Sequence, residues 1–519
     1  MNQSVPPGLM PVGLRVRGDG MNFIDKLISH ISPRWAHERE AYRQATNILR
    51  NYDAARMDRL GSGWFAASGT AEQIDCPYRE RLLRRARDLE RNSDIAKSVI
   101  SSFERNVVGK GFRVQARVKT KKDEDDEKIN SAIEKAWKKW SRAQNCDITG
   151  QSSFNEILKM VIRRRVVDGE IFIIKTYDNS AKIPFKIQLV EPDQLDTSRQ
   201  YSDNGNYVKS GVEVDQYNKP VAYWFYKSIP DEYIAIESIR VPADRIIHVY
   251  SKNRPTQVRG ISELASSMDA IRDAGEYLEA ERVKARLAAC FALFVKAAPG
   301  NSNPYARLNK MPTENQKRLD EISPGIIEYL QPGEEIEVAN PGNIPTNTKD
   351  FVEQQQRLVG SGQGISYEMI SRDVSKVTYS SARQGLLEDR RTFEPIQEYL
   401  IEHFCMEVYV EFLTSAVLAG EVEIKDFWQD KDRYFEHVWI PPGWTWIDPL
   451  KDVKASGQEV DANFATLEEK CAEQGKDWKE VVDQRSREKK YLKDKGIGSD
   501  DFADKGGANK KTPTAGAGD

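Results

Sequence analysis

The feature that most constrains this chain is a helical stretch whose apolar face is too narrow to fold alone. Residues 260–296, "GISELASSMDAIRDAGEYLEAERVKARLAACFALFVK", open as one long helix. Leu264, Met268, Ile271, Gly275 and Leu278 recur at alternating steps of four and three, which lays down a thin stripe. About 28 residues of helix span roughly 42 Å. The other faces carry Asp269, Asp273, Glu276, Glu279 and Glu281 against Arg272, Arg282, Lys284 and Arg286. A stripe this narrow suits packing against neighbours of the same kind rather than burial in a globular core.

The next hundred residues continue the helical theme after an interruption. Residues 297–346 are rich in Pro and Gly and hold two short strand patterns, "GIIEYL" and "EIEVAN". A second helix, "KDFVEQQQRLVGSGQGISYEMIS", ends near Ser371, and its glycines at 360, 362 and 364 point to an irregular end. A polar loop with Arg372, Asp373, Lys376, Thr378 and Tyr379 comes next. A helix then runs from about 380 to 419, its apolar face made by Leu386, Phe393, Ile396, Leu400, Phe404 and Leu413. Pro395 is expected to kink or restart it.

The first half is mixed. Residues 22–60 read as helical. Residues 78–112 read as a helical region broken near Asn92 and stopped at Gly109 and Gly111. From 78 to 113 ten Lys or Arg face five Asp or Glu, a basic surface whose ordinary reading is a solvated face. "RRR" at 163–165 is expected to pair with acids of a neighbour, with a phosphate contact as the alternative, and "DEDDE" at 123–127 to be a solvated loop. Amphipathic helices are expected over 128–145, with Ile133, Trp137 and Trp140, and over 152–168. Strands dominate from 169 to 250, with a hairpin turning near Asn218 to Pro220. "WIPPGWTWIDPLKD" (439–452) is extended and aromatic, helices run to about Lys495, and the tail reads as disordered.

Composition narrows the function classes. At 519 residues the chain exceeds one compact domain. The formal net charge of -3 excludes a global polycation seeking nucleic acid. Five widely spaced cysteines fit reduced thiols better than a disulfide framework. No eighteen-residue apolar run exists, so no membrane partner is expected. GxxxxGK[ST], GxSxG, HExxH and CxxC are all absent, and "GSGQG" (360–364) lacks the preceding strand of a dinucleotide fold. His403 and Cys405 diverge on a helix. The expectation is no catalytic residue, no metal and no cofactor.

Several segments resemble, in order, the lambda-type family of tailed bacteriophage portal proteins. They are "RRARDLERNSDIAKSVI" with "NVVGKGF", "GEIF", "IQLVEPDQLD", "ADRIIHVYSKNRPTQVRGISELA" and "WIDPLKD". "RPTQVRGIS" and "RARDLERN" are the most specific. The first sixty residues and those beyond about 485 carry no match.

The resemblance implies an α+β portal-type subunit. Its parts would be a mixed α/β wing, two long stem helices, a small α/β clip and a helical C-terminal crown. The boundaries are an N-terminal arm and helix (1–60), wing (61–260), first stem helix (261–289), clip (290–346) and second stem helix (347–371). A tunnel loop (372–382), a kinked helix with wing and crown (383–440), crown helices (441–495) and a tail (496–519) complete the order. The implied function is a self-assembled ring, a twelve-mer, at one capsid vertex, through which double-stranded DNA passes without sequence readout. Implied partners are the large terminase subunit, the major capsid or scaffold protein, and a head-completion or adaptor protein.

Placing the helices in that frame assigns roles to residues. Leu264, Met268, Ile271 and Leu278 would form the stem interface. Arg372, Lys376, Thr378, Tyr379 and Arg383 would face DNA. Residues 262–290 carry six acids and four bases, which suits a weakly repelling bore, since every phosphate neutralised adds grip. The competing readings are a metal-dependent nuclease and a ring scaffold with no DNA in its bore.

Overall fold

The computed structural model describes residues 66–201, 205–227, 237–290, 348–444 and 449–495. The chain divides into residues 1–68 and 69–519, and the elements below belong to the second unit. The helix expected over 22–60, the strands expected over 297–346 and the tail after 495 lie outside the described residues.

Capping residues set most helix starts. Thr70 and Gln73 form a reciprocal capping box at the head of α1 (Ala71–Asn92). Ser93 ends α1 and caps α2 (Asp94–Phe103), so the break expected near Asn92 is present. A π-helical turn, Glu104–Val108, carries α2 to Gly109, where φ is 47°. After β1 (Arg113–Ala116), Asp126 caps α3 (Glu127–Trp140), and a Ser153–Glu156 box caps α4 (Phe154–Asp168). Gly169, at φ 89°, turns α4 into the first long strand.

The strands are β2 (Glu170–Tyr177), β3 (Phe185–Val190), β4 (Tyr207–Lys209), β5 (Val212–Val214), β6 (Pro220–Tyr226), β7 (Ser238–Pro242) and β8 (Ile246–Tyr250). They make a three-stranded sheet in the order β3-β2-β8 and a four-stranded sheet in the order β4-β5-β6-β7, antiparallel throughout. Asn218, at φ 66°, sits in the turn between β5 and β6, in agreement with the expected hairpin.

Next come α5 (Met268–Cys290), α6 (Thr348–Gln363), α7 (Tyr367–Ser371), α8 (Tyr379–Leu400), α9 (Met406–Leu418), β9 (His437–Ile440), α10 (Pro449–Asp461), α11 (Leu467–Glu473) and α12 (Trp478–Asp494). β9 returns over more than 300 positions to pair antiparallel with β1, Arg113 opposite Ile440. The fold class is therefore mixed α+β with small antiparallel sheets.

The principal core is aromatic. Trp140 stacks on Phe185 at 5.4 Å and donates its indole N–H to the Phe185 carbonyl at 2.8 Å. Trp137 meets Phe154, Phe412 and Trp439 edge-on at 5.0–5.4 Å. One cluster thus joins α3, α4, β3, α9 and β9. A second core, with Phe172, Val212, Tyr223 and Phe225, lies between the two larger sheets.

The segment 254–262 buckles this body to the helical pair α5–α6. Thr256 Oγ1 accepts the Ala71 N–H at 3.0 Å, and Gln257 Nε2 donates to the Arg259 carbonyl at 2.9 Å. Arg259 donates to Glu170 and to the Ser210 carbonyl. Gly260 passes so close to Gly169 that a Cβ there would fall onto the Gly169 carbonyl. Ser262 donates to the Val166 carbonyl and caps a 3-10 turn, Glu263–Ser266. The long helix therefore starts at Met268, not near 261: the backbone before it is committed to the buckle.

Pro395 and the glycines at 360–364 act differently. Pro395 lies inside α8 without ending it; the irregularity falls later, at a π-helical turn over Ile401–Cys405. The glycines at 360 and 362 do not break α6. A Cβ on Gly362 would stand 2.6 Å from Ser267 Oγ, so glycine is what lets α6 close onto the start of α5. Gly364, at φ 67°, ends the helix and separates it from α7, so the irregular end expected from these glycines is present.

Candidate nucleic-acid interface

α5 and α6 run antiparallel. Near one end Gln363 Nε2 donates to the Glu263 carbonyl at 2.9 Å; further along, the Tyr277 and Phe351 rings lie 4.4 Å apart. Ser366 caps α7, and the buried Asp389 of α8 accepts both its N–H and its hydroxyl at 2.7 Å. Burial pushes the Asp389 carboxyl up, against the pull of those two donors. From the other side Ser98 of α2 donates to the Ile370 carbonyl at 2.7 Å. A rigid helical turn clamped at both ends thus delivers the loop Arg372–Thr378.

The loop is short and its ends are fixed. Arg372 adopts the left-handed conformation, φ 58°, and its N–H closes on the Glu368 carbonyl at 2.8 Å. Asp373 Oδ1 accepts the Ser375 N–H at 2.9 Å, and the Ser375 contacts hold the Asp373 carboxyl below its usual range. Thr378 caps α8. Val374 and Tyr379 are 66% and 55% exposed.

The expected cations differ in what they offer. Lys376 Nζ lies 3.1 Å from Glu353 of α6. The contact holds the lysine pKa up and the glutamate pKa down. Arg383 lies 3.5 Å from Asp452 of α10. Arg372 has no carboxylate partner among the described residues. Sequence reasoning points to neither Glu353 nor Asp452, because contacts between helices leave no periodic trace.

The expected helix interface is also redistributed. Leu264, Met268 and Ile271 are 0%, 6% and 1% exposed within a single chain and belong to its own core. They have no surface left for a neighbour, so their assignment to an inter-subunit contact is corrected. Leu278 instead lines an open groove between α1, α2 and α5, together with Leu89, Ile95, Gly275 and Val283.

The "RRR" cluster is neutralised as expected. Arg163 reaches Glu90 at 2.6 Å and Glu104 at 2.8 Å; Arg164 reaches Glu90 at 2.5 Å; Arg165 reaches Glu263 at 3.1 Å. On α1, Arg79 pairs with Glu72 and Arg87 with Asp168. Among the described residues no group of three His, Cys, Asp or Glu side chains is placed to hold a metal, and no helix is long and apolar enough to cross a membrane.

The family model for phage portal proteins of the lambda family matches residues 57–397, more than half of the chain. The chain belongs to the lambda family of phage portal proteins. Portal function comes with that membership. The probable portal protein of Halomonas phage phiHAP-1 is 28% identical over 465 residues, covering 88% of this chain and 89% of the relative. Portal protein B of Escherichia phage lambda is 22% identical over 461 residues, covering 82% and 86%. The portal protein of Escherichia phage N15 is also 22% identical over 461 residues, covering 82% and 87%. Among solved structures, a chain from the neck of a native gene transfer agent particle, computed with C12 symmetry, aligns at a TM-score of 0.40 and 12% identity. That alignment covers 82% of this chain and 99% of the other. A chain from the virion of the same kind of particle aligns at 0.39 and 13%, covering 77% and 93%. The buckle at 254–262 and the loop at 372–378 both fall inside the region matched by the portal family.

Proposed function

We propose that copies of this chain close into a twelve-membered ring at one capsid vertex and form the conduit for double-stranded DNA during packaging and ejection. The observation that carries this is family membership over residues 57–397, with named portal proteins aligned over more than four-fifths of the chain. In this reading residues 61–260 are the wing, α5 and α6 the stem, 290–346 the clip and α10–α12 the crown. The arm 1–60 and the tail 496–519 complete the chain. The chain acts as structure rather than as an enzyme. A separate terminase supplies the energy of packaging and docks on the clip, and adaptor or head-completion proteins replace it once the head is full. The ring contacts capsid or scaffold protein, and it assembles in the host cytoplasm before its place in the virion.

Physical features support the arrangement. A contact repeated head-to-tail around a ring is heterologous and closes only at one rotation. The groove beside α5 pairs a half-covered apolar floor with acids and bases on its rim, which suits a neighbouring copy. The clamped loop with Arg372, Lys376, Thr378 and Tyr379, and Arg383 beyond it, faces the passing duplex and contacts its backbone transiently. Lys376 and Arg383 already have acidic partners, which limits their grip and so permits sliding.

Mass photometry with negative-stain imaging tests this. Twelve copies of 59.1 kDa give about 709 kDa, with a central hole. A monomer at every salt concentration, with and without scaffold protein, would overturn the ring.

A further inference from the structure

α12 stands away from its own chain. Its first turn is pinned to the body, Lys479 to Asp125 at 2.7 Å and Glu480 to Arg113 at 3.2 Å. From Glu480 to Asp494 every residue except Leu492 is exposed, and none of the 17 residues of the helix is buried. Along it the described residues show one hydrogen bond between side chains, Gln484 to Glu488 at 2.7 Å. A helix with so little support of its own draws its stability from packing a face against a partner.

The spacing identifies that face. Val482, Arg485, Lys489 and Leu492 follow at steps of three, four and three, so they share one side of the helix. From Arg485 to Lys495 six bases stand against two acids. Among the described residues none of the six bases has a carboxylate within ion-pair distance.

A complementary surface lies elsewhere in the same chain. α8, the turn Pro441–Trp444, the end of α10 and α11 wall a cleft of about 880 Å³. Its bases are occupied. Lys470 is held by Glu459 at 2.7 Å and Glu473 at 2.9 Å, Arg391 by Glu388 at 2.9 Å, and the Arg390 guanidinium lies over the Trp444 ring at 5.4 Å. On the α8 wall Glu394 and Glu398 are exposed, and among the described residues neither has a base within ion-pair distance. They sit one helical turn apart, the spacing of Arg485 and Lys489. Phe464, 86% exposed, and the exposed Leu387 supply apolar surface in the same cleft. No residue of α12 lines the cleft of its own chain, and the pinned first turn directs the helix elsewhere.

We propose that the basic face of α12 docks into the acidic cleft of a second copy of this chain, with Arg485 and Lys489 meeting Glu394 and Glu398. Val482 and Leu492 then cover the apolar part of the cleft. Charge complementarity selects this occupant: nucleic acid is the wrong partner for a cleft whose unpaired charges are negative, and an apolar and basic helix is the right one. Two different surfaces of one chain meet, so the contact is heterologous and propagates around a ring. The inference rests on the ring reading and deepens it, adding a contact between copies apart from the groove beside α5.

The test is charge reversal, read by mass photometry of the full chain. Glu394→Lys with Glu398→Lys, and separately Arg485→Glu with Lys489→Glu, should each lower the fraction of chain in rings about tenfold at about 0.1 M salt, because like charges then face each other. All four residues are exposed and outside any ion pair among the described residues, so the melting temperature of the monomer should not move, which separates lost docking from misfolding. All four substitutions in one chain should restore the rings. Mixing the two double variants should restore them too, because alternating copies again oppose unlike charges. Rescue in the fourfold variant but not by mixing would place the contact within one chain and overturn the proposal. So would failure of both rescues. Rings at wild-type yield in either double variant would overturn the contact and leave the ring reading intact; if Arg485→Glu with Lys489→Glu then also lost binding to a DNA duplex, α12 would belong to nucleic acid instead. A wild-type chain that forms no rings beside these variants would overturn the ring reading, and the contact with it.

Discussion

Glu170 and Arg259 form a buried ion pair at the joint between the sheets and the long helices. Arg259 Nε donates to Glu170 Oε1 at 2.7 Å, and the Gly260 N–H donates to Glu170 Oε2 at 2.7 Å. Both side chains are almost fully buried. Glu170→Gln keeps the shape but strands the Arg259 charge. Removing one partner of a buried pair costs about 3–5 kcal/mol. Urea unfolding of the variant should show a loss of that size. Glu170→Gln with Arg259→Met should recover part of it. A loss under about 1 kcal/mol for the single variant would show the pair to be solvated in practice.

The same joint sets a pH dependence. His248 is buried between the Phe172 and Tyr250 rings, each 4.3 Å away, and contacts Glu170 Oε2 through Nε2 at 3.0 Å. Burial pushes its pKa down; Glu170 pulls it up, while Arg259 and Arg79 reinforce the depression. The Glu170 carboxyl is itself held far below its usual range: the Arg259 and His248 contacts outweigh the upward push of burial. For His248 the unfolded chain takes up a proton first, so stability is full above about pH 6.5 and falls as pH drops. For Glu170 stability is full above about pH 4.3 and is lost as pH falls further. A melting-temperature profile should be flat from about pH 7 to 8 and decline in two stages below. His248→Gln should shrink the upper stage to the share left by His437, whose pKa burial also depresses, and should weaken the lower one, because Glu170 loses the His248 contact. An unchanged upper stage would place that titration elsewhere.

Two glycines separate local from inter-subunit packing. Gly260→Ala would drive a methyl into the Gly169 backbone and should cost about 1–3 kcal/mol or more. Gly275, within α5, has no atom within 4 Å of its ideal Cβ. In the single chain Gly275→Ala should therefore stabilise by about 0.5–1 kcal/mol, as expected for an exposed helix interior. Gly275 also lines the groove assigned to a neighbouring copy. If that copy approaches closely, the same substitution should lower the yield of rings in mass photometry while raising the melting temperature of the monomer. Rings at wild-type yield would mean that the neighbour leaves room for a methyl there.

Local signals are legible in the sequence, and long-range pairings are not. The break at Asn92, the stop at Gly109, the Asn218 turn, the end of α7 at Ser371 and the start of α8 at Tyr379 each rest on a cap or a turn residue within a few positions. The β1–β9 pairing leaves no such mark, because its partners are more than 300 positions apart and each strand is four residues long. The stripe Leu264, Met268 and Ile271 is apolar as its spacing says, but its partner is the chain's own core rather than a neighbour. Periodicity reports that a face is covered, not by what.

The Lys376–Glu353 contact ties the loop to α6. The lysine is exposed while the glutamate side chain is largely covered; with one partner in solvent such a pair is worth about 0–1 kcal/mol and is screened by salt. On the proposed conduit reading, a tether this weak would yield to a phosphate that comes within reach. Glu353→Gln removes the restraint without removing the cation. Duplex affinity at low salt should then rise about two- to threefold, with the difference vanishing near about 0.5 M salt. In packaging reactions, Arg372→Ala with Lys376→Ala should shorten the DNA retained. Retained length equal to wild type in that double variant would remove the loop from the DNA contacts.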